Sequence, residues 1–274
     1  MITNKEMKEL AAWNRKSKAR KEDGVFLIEG TKMFLEAPME RIRKTFVSES
    51  FFKTESQKKE SGIKSPCLEK LDRCGYEMVT DSVFAKITDT MTPQGILCVM
   101  DQFRYTLEDF LIRRNPTIMV LEDLQDPGNL GTIMRTGEGA GIDGIIMSKG
   151  CVDIYNPKTI RSTMGSLYRV PFVYTDDLAS TLKGLKEKGI RFYAAHLKGK
   201  LFYDEVDYAL PGGTGFLIGN EGNGLTDETA NLADSYIRIP MEGKVESLNA
   251  AIAAGVLMYE AYRQKRKDTK GELS

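Results

Sequence analysis

The chain has 274 residues, 41% of them hydrophobic and 28% charged, with 39 Lys plus Arg set against 39 Asp plus Glu. It is long enough for two domains and too ordinary in composition for disorder, and its balanced charge gives no argument from net charge for a nucleic-acid partner. Four cysteines without a C-x-x-C pair and a single histidine, His196, argue against a disulfide framework or a zinc site, and the absence of an apolar signal core or a long uncharged run points to a cytoplasmic chain with no membrane span.

In chain order, residues 4–21 are charged with Leu10, Ala11 and Trp13 interspersed, which predicts a helix with one modest apolar face that stops at Asp23-Gly24. The first 21 residues carry Lys5, Lys8, Arg15, Lys16, Lys18, Arg20 and Lys21 against only Glu6 and Glu9. Such a basic arm is either a solvated helix face or a contact for RNA phosphates, with Arg15, Lys16, Lys18 and Arg20 the candidates. Next come a strand at 25–29 (VFLIE), a helix over 31–37, a strand at 45–49, a polar stretch of loop quality over 53–65, a strand at 77–80, a helix over 81–88 and an apolar run at 95–100. These make a small α/β domain over residues 1–101. The pattern weakens across a linker, 102–115, and meets Pro116, before which helix is disfavoured.

From 116 to 274 the alternation sharpens. Strands are expected at 117–121, 144–148, 172–174, 190–196, 215–219 and 236–239, and helices at 130–139, 157–164, 177–188, 227–232 and from Ser247 to about residue 263. Continuous apolar strands separated by helices predict a parallel sheet covered on both faces. A second basic cluster, Arg263, Lys265, Arg266, Lys267 and Lys270, closes the chain.

Three loops carry an unusual density of Gly, Asn and charge, and each follows an apolar strand, where open α/β sheets collect ligands. In LEDLQDPGNLGTIMRT (121–136), Asp126-Pro127-Gly128 turns the chain, Asn129 stands where a helix is capped, and Arg135 follows six residues later. In GFLIGNEGNGL (215–225), three glycines in six residues flank Glu221 and let backbone approach a ligand. In the third, IRIPMEGKVESLNAAIAAGVLMYEAY (237–262), Ser247 is the expected N-cap of a helix whose small residues imply a closely packed neighbour. Each loop also has a plain reading: an N-cap beside a surface arginine, a glycine-rich turn, a tightly packed core helix. Gly139-Ala140-Gly141-Ile142-Asp143-Gly144 matches G-x-G-x-x-G but closes a helix and enters a strand, the reverse of the order that dinucleotide binding requires. His196 ends a strand and is read as structural.

Taken together the three loops resemble the ordered motifs of the SpoU family of RNA 2′-O-methyltransferases, in the SPOUT superfamily, through N-L-G-T-I-M-R-T (129–136), I-G-N-E-G-N-G-L (218–225) and I-P-M-E-G-K-V-E-S-L-N (239–249). R-K-E-D-G-V-F-L-I-E-G (20–30) and T-D-T-M-T-P-Q-G-I (88–96) resemble the RNA substrate-binding domain often found ahead of it, so the resemblance spans nearly the whole chain. It implies an α/β fold, a parallel-sheet SPOUT domain with a C-terminal trefoil knot preceded by a smaller α/β RNA-binding domain. It further implies S-adenosylmethionine as methyl donor with no metal, donor contacts at Leu197, Gly219, Ile239 and Leu248, and a homodimer. Arg135 takes the catalytic role by resemblance, stabilising the developing oxyanion because a guanidinium stays protonated. Asn129, Glu221, Ser247 and Asn249 position it and the ribose. Ribosomal RNA is favoured over transfer RNA as substrate by analogy with relatives that share the N-terminal domain. Methylation of transfer RNA, methylation of a base, and a non-catalytic RNA-binding protein of the same fold are the alternatives.

Overall fold

A computed structural model describes residues 2–271, with side chains to residue 266. The chain forms two compact units, one from the chain up to Phe103 together with Asp153–Tyr168, the other from Arg104–Val152 and from Arg169 onward.

In the first unit, α1 (Asn4–Arg15) opens on a capping box: the Thr3 hydroxyl accepts from Glu6 N, and the Glu6 carboxylate accepts from Thr3 N. Lys16 is extended, with φ −117°, so the single helix expected from the charge pattern is two, and α2 (Ser17–Asp23) ends on left-handed Gly24. There follow β1 (Val25–Glu29), α3 (Thr31–Glu36), β2 (Ile42–Ser48), α4 (Glu49–Glu60), α5 (Pro66–Cys74), β3 (Glu77–Val79), α6 (Asp81–Ile87) and β4 (Ile96–Asp101). The sheet order is β1-β4-β2-β3, with β4 antiparallel to both β1 and β2, and β3 parallel to β2. Leu10, Val25, Leu27, Phe46, Phe84, Ile87, Leu97 and Val99 fill one face.

The polar stretch expected as loop over 53–65 is instead mostly α4. Its cap is Ser48, which accepts from Phe51 N, and it anchors itself with a carboxylate rather than an apolar stripe: buried Glu55 accepts from Ser65 Oγ at 2.5 Å and pairs with Lys58. Helical periodicity cannot be read where the inward-facing residue is Glu.

Residues 153–168, which the sequence places in the second half, pack as part of this first unit. Arg20, only 3% exposed, donates from Nη2 and Nε to Asp153 Oδ2 at 2.6 and 3.1 Å and from Nη1 to the Trp13 carbonyl at 2.6 Å. Tyr155 packs on Phe26 with ring centroids 4.7 Å apart, and Tyr168 Oη donates to the Met33 carbonyl at 3.0 Å. Arg20, grouped from sequence with the solvent-facing cations of the arm, is therefore a buried structural residue, its guanidinium consumed by Asp153 and a carbonyl.

The second unit is built on β5 (Thr117–Leu121), α7 (Pro127–Ala140) and β6 (Gly144–Ser148); α8 (Pro157–Thr163) belongs to the first unit. Then come β7 (Phe172–Thr175), α9 (Leu178–Glu187), β8 (Arg191–Ala195), β9 (Leu201–Phe202), β10 (Thr214–Ile218), α10 (Asp227–Ala230), β11 (Ser235–Arg238) and α11 (Ala250–Gly271). The seven strands run β7-β6-β5-β10-β8-β11-β9, and every neighbouring pair is parallel. Both central strands are buried along their whole length, as their unbroken apolar sequence requires. Two residues of edge strand, β9, carry no sequence signal. Gly141, left-handed at φ 70°, ends α7 and disposes of the G-x-G-x-x-G match.

The small residues of α11 serve a close helix pair. A side chain at Gly137 of α7 would collide with Ile142 and reach 3.4 Å from Met258 Sδ, one at Gly139 would reach 3.1 Å from Tyr259 Oη, and one at Gly255 of α11 would meet Thr136 at 3.4 Å. The helix starts later than expected: Ser247 lies in irregular chain, and Asn249 Oδ1 accepts from Ala251 N and Ile252 N at 2.9 and 3.3 Å. Farther along α11, Lys265 Nζ donates to the carbonyls of Asn115 (2.9 Å) and Pro116 (3.4 Å) and to Thr117 Oγ1 (2.6 Å), tying the helix to the start of β5. Arg263 pairs with Glu260 and Arg266 lies over the Tyr262 ring; the side chains of Lys267 and Lys270 lie outside the described residues. Among the described residues no helix is long and apolar enough to cross a membrane.

Two outcomes follow. Asp153→Ala leaves the Arg20 charge buried and unpaired, which costs about 3–5 kcal/mol; because Trp13 is the chain's single tryptophan and lies in this unit, its fluorescence in a urea titration reads the loss, and the apolar pair Arg20→Met/Asp153→Leu should recover most of it. Burial pushes the Lys265 ammonium down to about 8 from the usual 10.5. Between those values the unfolded chain holds a proton that the native chain lacks, so native stability rises with pH through that window. Lys265→Met should remove that rise, measured as the difference between the two proteins' denaturant midpoints from pH 7 to 10.5.

Candidate active site

The site forms where β5 and β10, neighbours in the sheet, deliver their following loops to the same edge. After β5 the chain turns through residues 122–126 into α7. The turn is capped by Asp126, whose Oδ1 accepts from Asn129 N at 2.8 Å, with Pro127 at the first helical position, where no amide is needed. Asn129, expected as the cap from sequence, is thus three residues inside the helix, and its side chain is free for another task.

That task is a chain of hydrogen bonds across three loops. Glu221, on the loop after β10, accepts from Gln125 N and Asp126 N, both at 3.0 Å, and from Asn129 Nδ2 at 3.0 Å. Asn129 Oδ1 accepts in turn from Nδ2 of Asn249, the residue that opens α11, at 3.0 Å. A carboxylate at a helix N-terminus meets amide donors that have no partner within the helix and a favourable dipole. Desolvation raises the Glu221 carboxyl, but the bonds from the Asn129 amide and from the backbone of Asp126 and Gln125 outweigh it, and the group titrates below the ordinary carboxylate range.

The β10 loop is rigid in its own right. Asn220 Oδ1 accepts from Gly222 N and Asn223 N at 2.9 and 3.1 Å, and Asn220 and Gly224 exchange both backbone bonds. A side chain at Gly219 would run into the backbone of Gly224 and Leu225, so glycine is needed there by close approach. The loop's exit is held by Glu122, a buried carboxylate that accepts from Thr226 N and Thr226 Oγ1, both at 2.8 Å, and from Thr229 Oγ1. Glu122, Asp126 and Asn220 were not singled out from sequence; the signal was there for Asp126 alone, in the Asp-Pro pair that marks a capped helix start.

Of the five residues expected to act together, Asn129, Glu221 and Asn249 are hydrogen-bonded into one unit. Arg135 lies six residues along α7 from Asn129, about 120° around the helix at 100° per residue. It is exposed and forms no ion pair with a described residue. Ser247 is exposed on the irregular chain before α11, with no hydrogen bond to the other four. After β8, Leu197 is 63% exposed; Ile239, next after β11, and Leu248, before α11, are half-buried. Apolar side chains on the chain after β8 and β11, with the glycine-rich loop after neighbouring β10, suit an adenosyl group, so the residues present fit the donor implied by the sequence. His196 keeps a structural role: Nδ1 accepts from Lys198 N at 3.0 Å and the ring stacks on Tyr236 with centroids 5.0 Å apart. In the N-terminal arm Arg15, Lys16 and Lys18 are exposed, Lys18 with its Nζ 3.7 Å from Glu22, whereas Arg20 is not available to a ligand.

An open parallel sheet with loops knit together at its carboxyl edge defines an α/β protein whose ligand site lies at that edge. Residues 116–259 match the SpoU rRNA methylase family and residues 4–98 match the MRM3-like substrate-binding domain. The chain is 32% identical, over 88% of its length and 90% of the relative's, to a 23S rRNA (guanosine(2553)-2′-O)-methyltransferase of Bacillus subtilis. An uncharacterized tRNA/rRNA methyltransferase of Synechocystis is 34% identical, over 91% and 88% of the two chains. The crystal structure of an S-adenosylmethionine-bound rRNA methyltransferase from Sinorhizobium meliloti superposes with a TM-score of 0.81 at 30% identity, covering 96% of each chain. The chain belongs to the SpoU rRNA methylase family, S-adenosylmethionine-dependent RNA methyltransferases.

Glu221→Gln replaces one acceptor oxygen with a donor that faces either the Gln125 amide or the Asp126 amide and the Asn129 carboxamide NH2. Loosening the Asn129 carboxamide in this way should cut methyl transfer about 10- to 100-fold, the usual consequence of slight misplacement, while the melting temperature shifts by only a few degrees. A single-turnover assay beside a thermal melt separates the two.

Proposed function

We propose that this enzyme moves the methyl group of S-adenosylmethionine to a ribose 2′-hydroxyl of ribosomal RNA. The observation that carries the reading is the Glu221–Asn129–Asn249 chain, which fixes a carboxamide pair, one member of it on the helix that bears Arg135, a cation with no partner among the described residues. Bound against Leu197, Gly219, Ile239 and Leu248, the donor supplies a methyl on a sulfonium, ready to leave to a nucleophile. The hydroxyl proton passes to solvent water ahead of bond formation, so negative charge develops on the ribose oxygen; that oxygen then bonds to the methyl carbon as the carbon–sulfur bond breaks and its electron pair stays on sulfur, leaving a neutral thioether. Arg135 stabilises that charge with a fixed cation, which a guanidinium does better than it would accept a proton. Asn129 and Asn249 orient the ribose, Glu221 holds Asn129, and Ser247 supplies a hydroxyl from the chain before α11.

Ribosomal RNA is favoured over transfer RNA by the Bacillus subtilis and Sinorhizobium meliloti proteins, both rRNA methyltransferases. Arg15, Lys16 and Lys18 of the basic arm are read as phosphate contacts of a cytoplasmic enzyme. A homodimer is supported by α11, which leaves Ile252, Tyr259 and Tyr262 exposed along its length. A trefoil knot, a rare exception to unthreaded topology, is supported by the tight passage of residues 196–200 against β11, where a side chain at Gly199 would come 2.7 Å from the Ile237 carbonyl carbon.

Labelled methyl from S-adenosylmethionine should enter unmodified ribosomal RNA, map to a 2′-oxygen, and vanish with Arg135→Ala, a loss of about 100-fold or more for removal of a charge-stabilising group. Label in transfer RNA alone overturns the choice of substrate. No donor binding overturns the reaction.

A further inference from the structure

The mechanism leaves one strained residue unused. Asp123, the second residue after β5, has a left-handed backbone with φ 52°, a conformation that side-chain-bearing residues rarely adopt and that Asp and Asn tolerate best. Its environment holds it there. Asp123 N donates to Ser148 Oγ at 2.8 Å, and the Ser148 hydroxyl donates back to Asp123 Oδ1 at 2.6 Å. Gly150 lies so close that a side chain there would strike the Asp123 carboxylate. The next residue is fixed from the same direction, Leu124 N donating to Cys151 Sγ at 3.3 Å and its carbonyl accepting from Val152 N at 2.8 Å.

The left-handed turn aims two things at the β10 loop. The Asp123 carbonyl accepts from Asn220 Nδ2 at 2.8 Å, the side chain that also organises residues 222 and 223, and the amides of Gln125 and Asp126 then point at Glu221. Without the reversal at Asp123 the carbonyl and the two amides would not both face the same loop. We propose that Asp123, locked by Ser148, is a positioning residue for methyl transfer, setting the backbone donors that hold Glu221 and through it Asn129. The effect on turnover rests on the reaction proposed above; the effect on the loop does not.

The test compares Asp123→Val, which disfavours the left-handed backbone and removes the carboxylate, with Asp123→Asn, which tolerates both the backbone and the Ser148 bond. Three readouts are taken: methyl transfer to ribosomal RNA, affinity for S-adenosylhomocysteine by calorimetry, and hydrogen–deuterium exchange of the peptide covering residues 122–128. The valine variant should lose about tenfold or more in turnover, bind S-adenosylhomocysteine within about twofold of the parent, and exchange the 125 and 126 amides as fast as Glu221→Ala does. Asparagine should return most of the turnover and the protection. Unchanged protection of those amides in the valine variant overturns the proposal, as does turnover within about twofold of the parent. A parent protein that transfers no methyl to ribosomal RNA defeats the reaction reading instead, and the exchange result then decides the proposal alone. If the valine variant does not fold, Ser148→Ala releases the same clamp, and its exchange at residues 125 and 126 decides in the same way.

Discussion

The carboxylate of Glu221 against the two amides that lead into α7, those of Gln125 and Asp126, is the contact on which the site depends. It joins positions 95 and 96 residues apart in sequence, across the boundary between the two central strands. A helix start offers several amides with no helical partner, and a charged acceptor there is stabilised by the donors and by the dipole together. Glu221 has oxygens enough to take the two amides just before the helix, those of Gln125 and Asp126, and the Asn129 carboxamide besides. With one face of that carboxamide given to Glu221, its oxygen has a single orientation left, which Asn249 reads from the start of α11. Three loops become one rigid object, and Arg135 is left on the helix as a cation without a partner among the described residues.

That object was legible in the sequence as three loops, but not as a circuit. Asn129, Glu221 and Asn249 stand out because Asn and Glu are uncommon among glycines after an apolar strand; which atom meets which depends on strand order, and β10 lying next to β5 is not written in either strand. Asp126 displaced Asn129 from the capping position because Asp-Pro begins a helix more strongly than Gly-Asn does, and Asn249 took the cap expected of Ser247 because its oxygen reaches two amides. The parallel sheet was readable from unbroken apolar strands such as 117–121 and 214–218, whose burial on both faces allows no alternation. By contrast α4 was hidden by its buried Glu55, and β9 is too short to have a pattern.

Arg20 marks a different limit. Charge density along residues 1–21 grouped it with Lys16 and Lys18, since a sequence window sees cations and not their partners. Its partner, Asp153, is 133 residues away in the excursion that α8 makes from the methylase half into the substrate-binding unit. Isolated in water the pair would contribute little; buried, each charge makes the other indispensable. The family boundary at residue 116 and the physical boundary of the folded unit therefore differ, because a stretch of the catalytic half completes the first unit's core around Phe26 and Tyr155.

One helix, α7, carries most of these constraints at once, and its composition follows from that. Leu130, Ile133, Met134 and Gly137 recur at helical spacing and are buried. Gly139 and Thr136 accept the close approach of α11, the N-terminal turn accepts Glu221, and only the remaining surface can bear a charge. Arg135 sits there. A larger residue at Gly139 would push against Tyr259, and a shift of α11 would drag Asn249 from Asn129, so the glycines of the helix pair guard the geometry of polar groups they never touch. The tight packing and the chemistry are two consequences of the same register between α7 and α11.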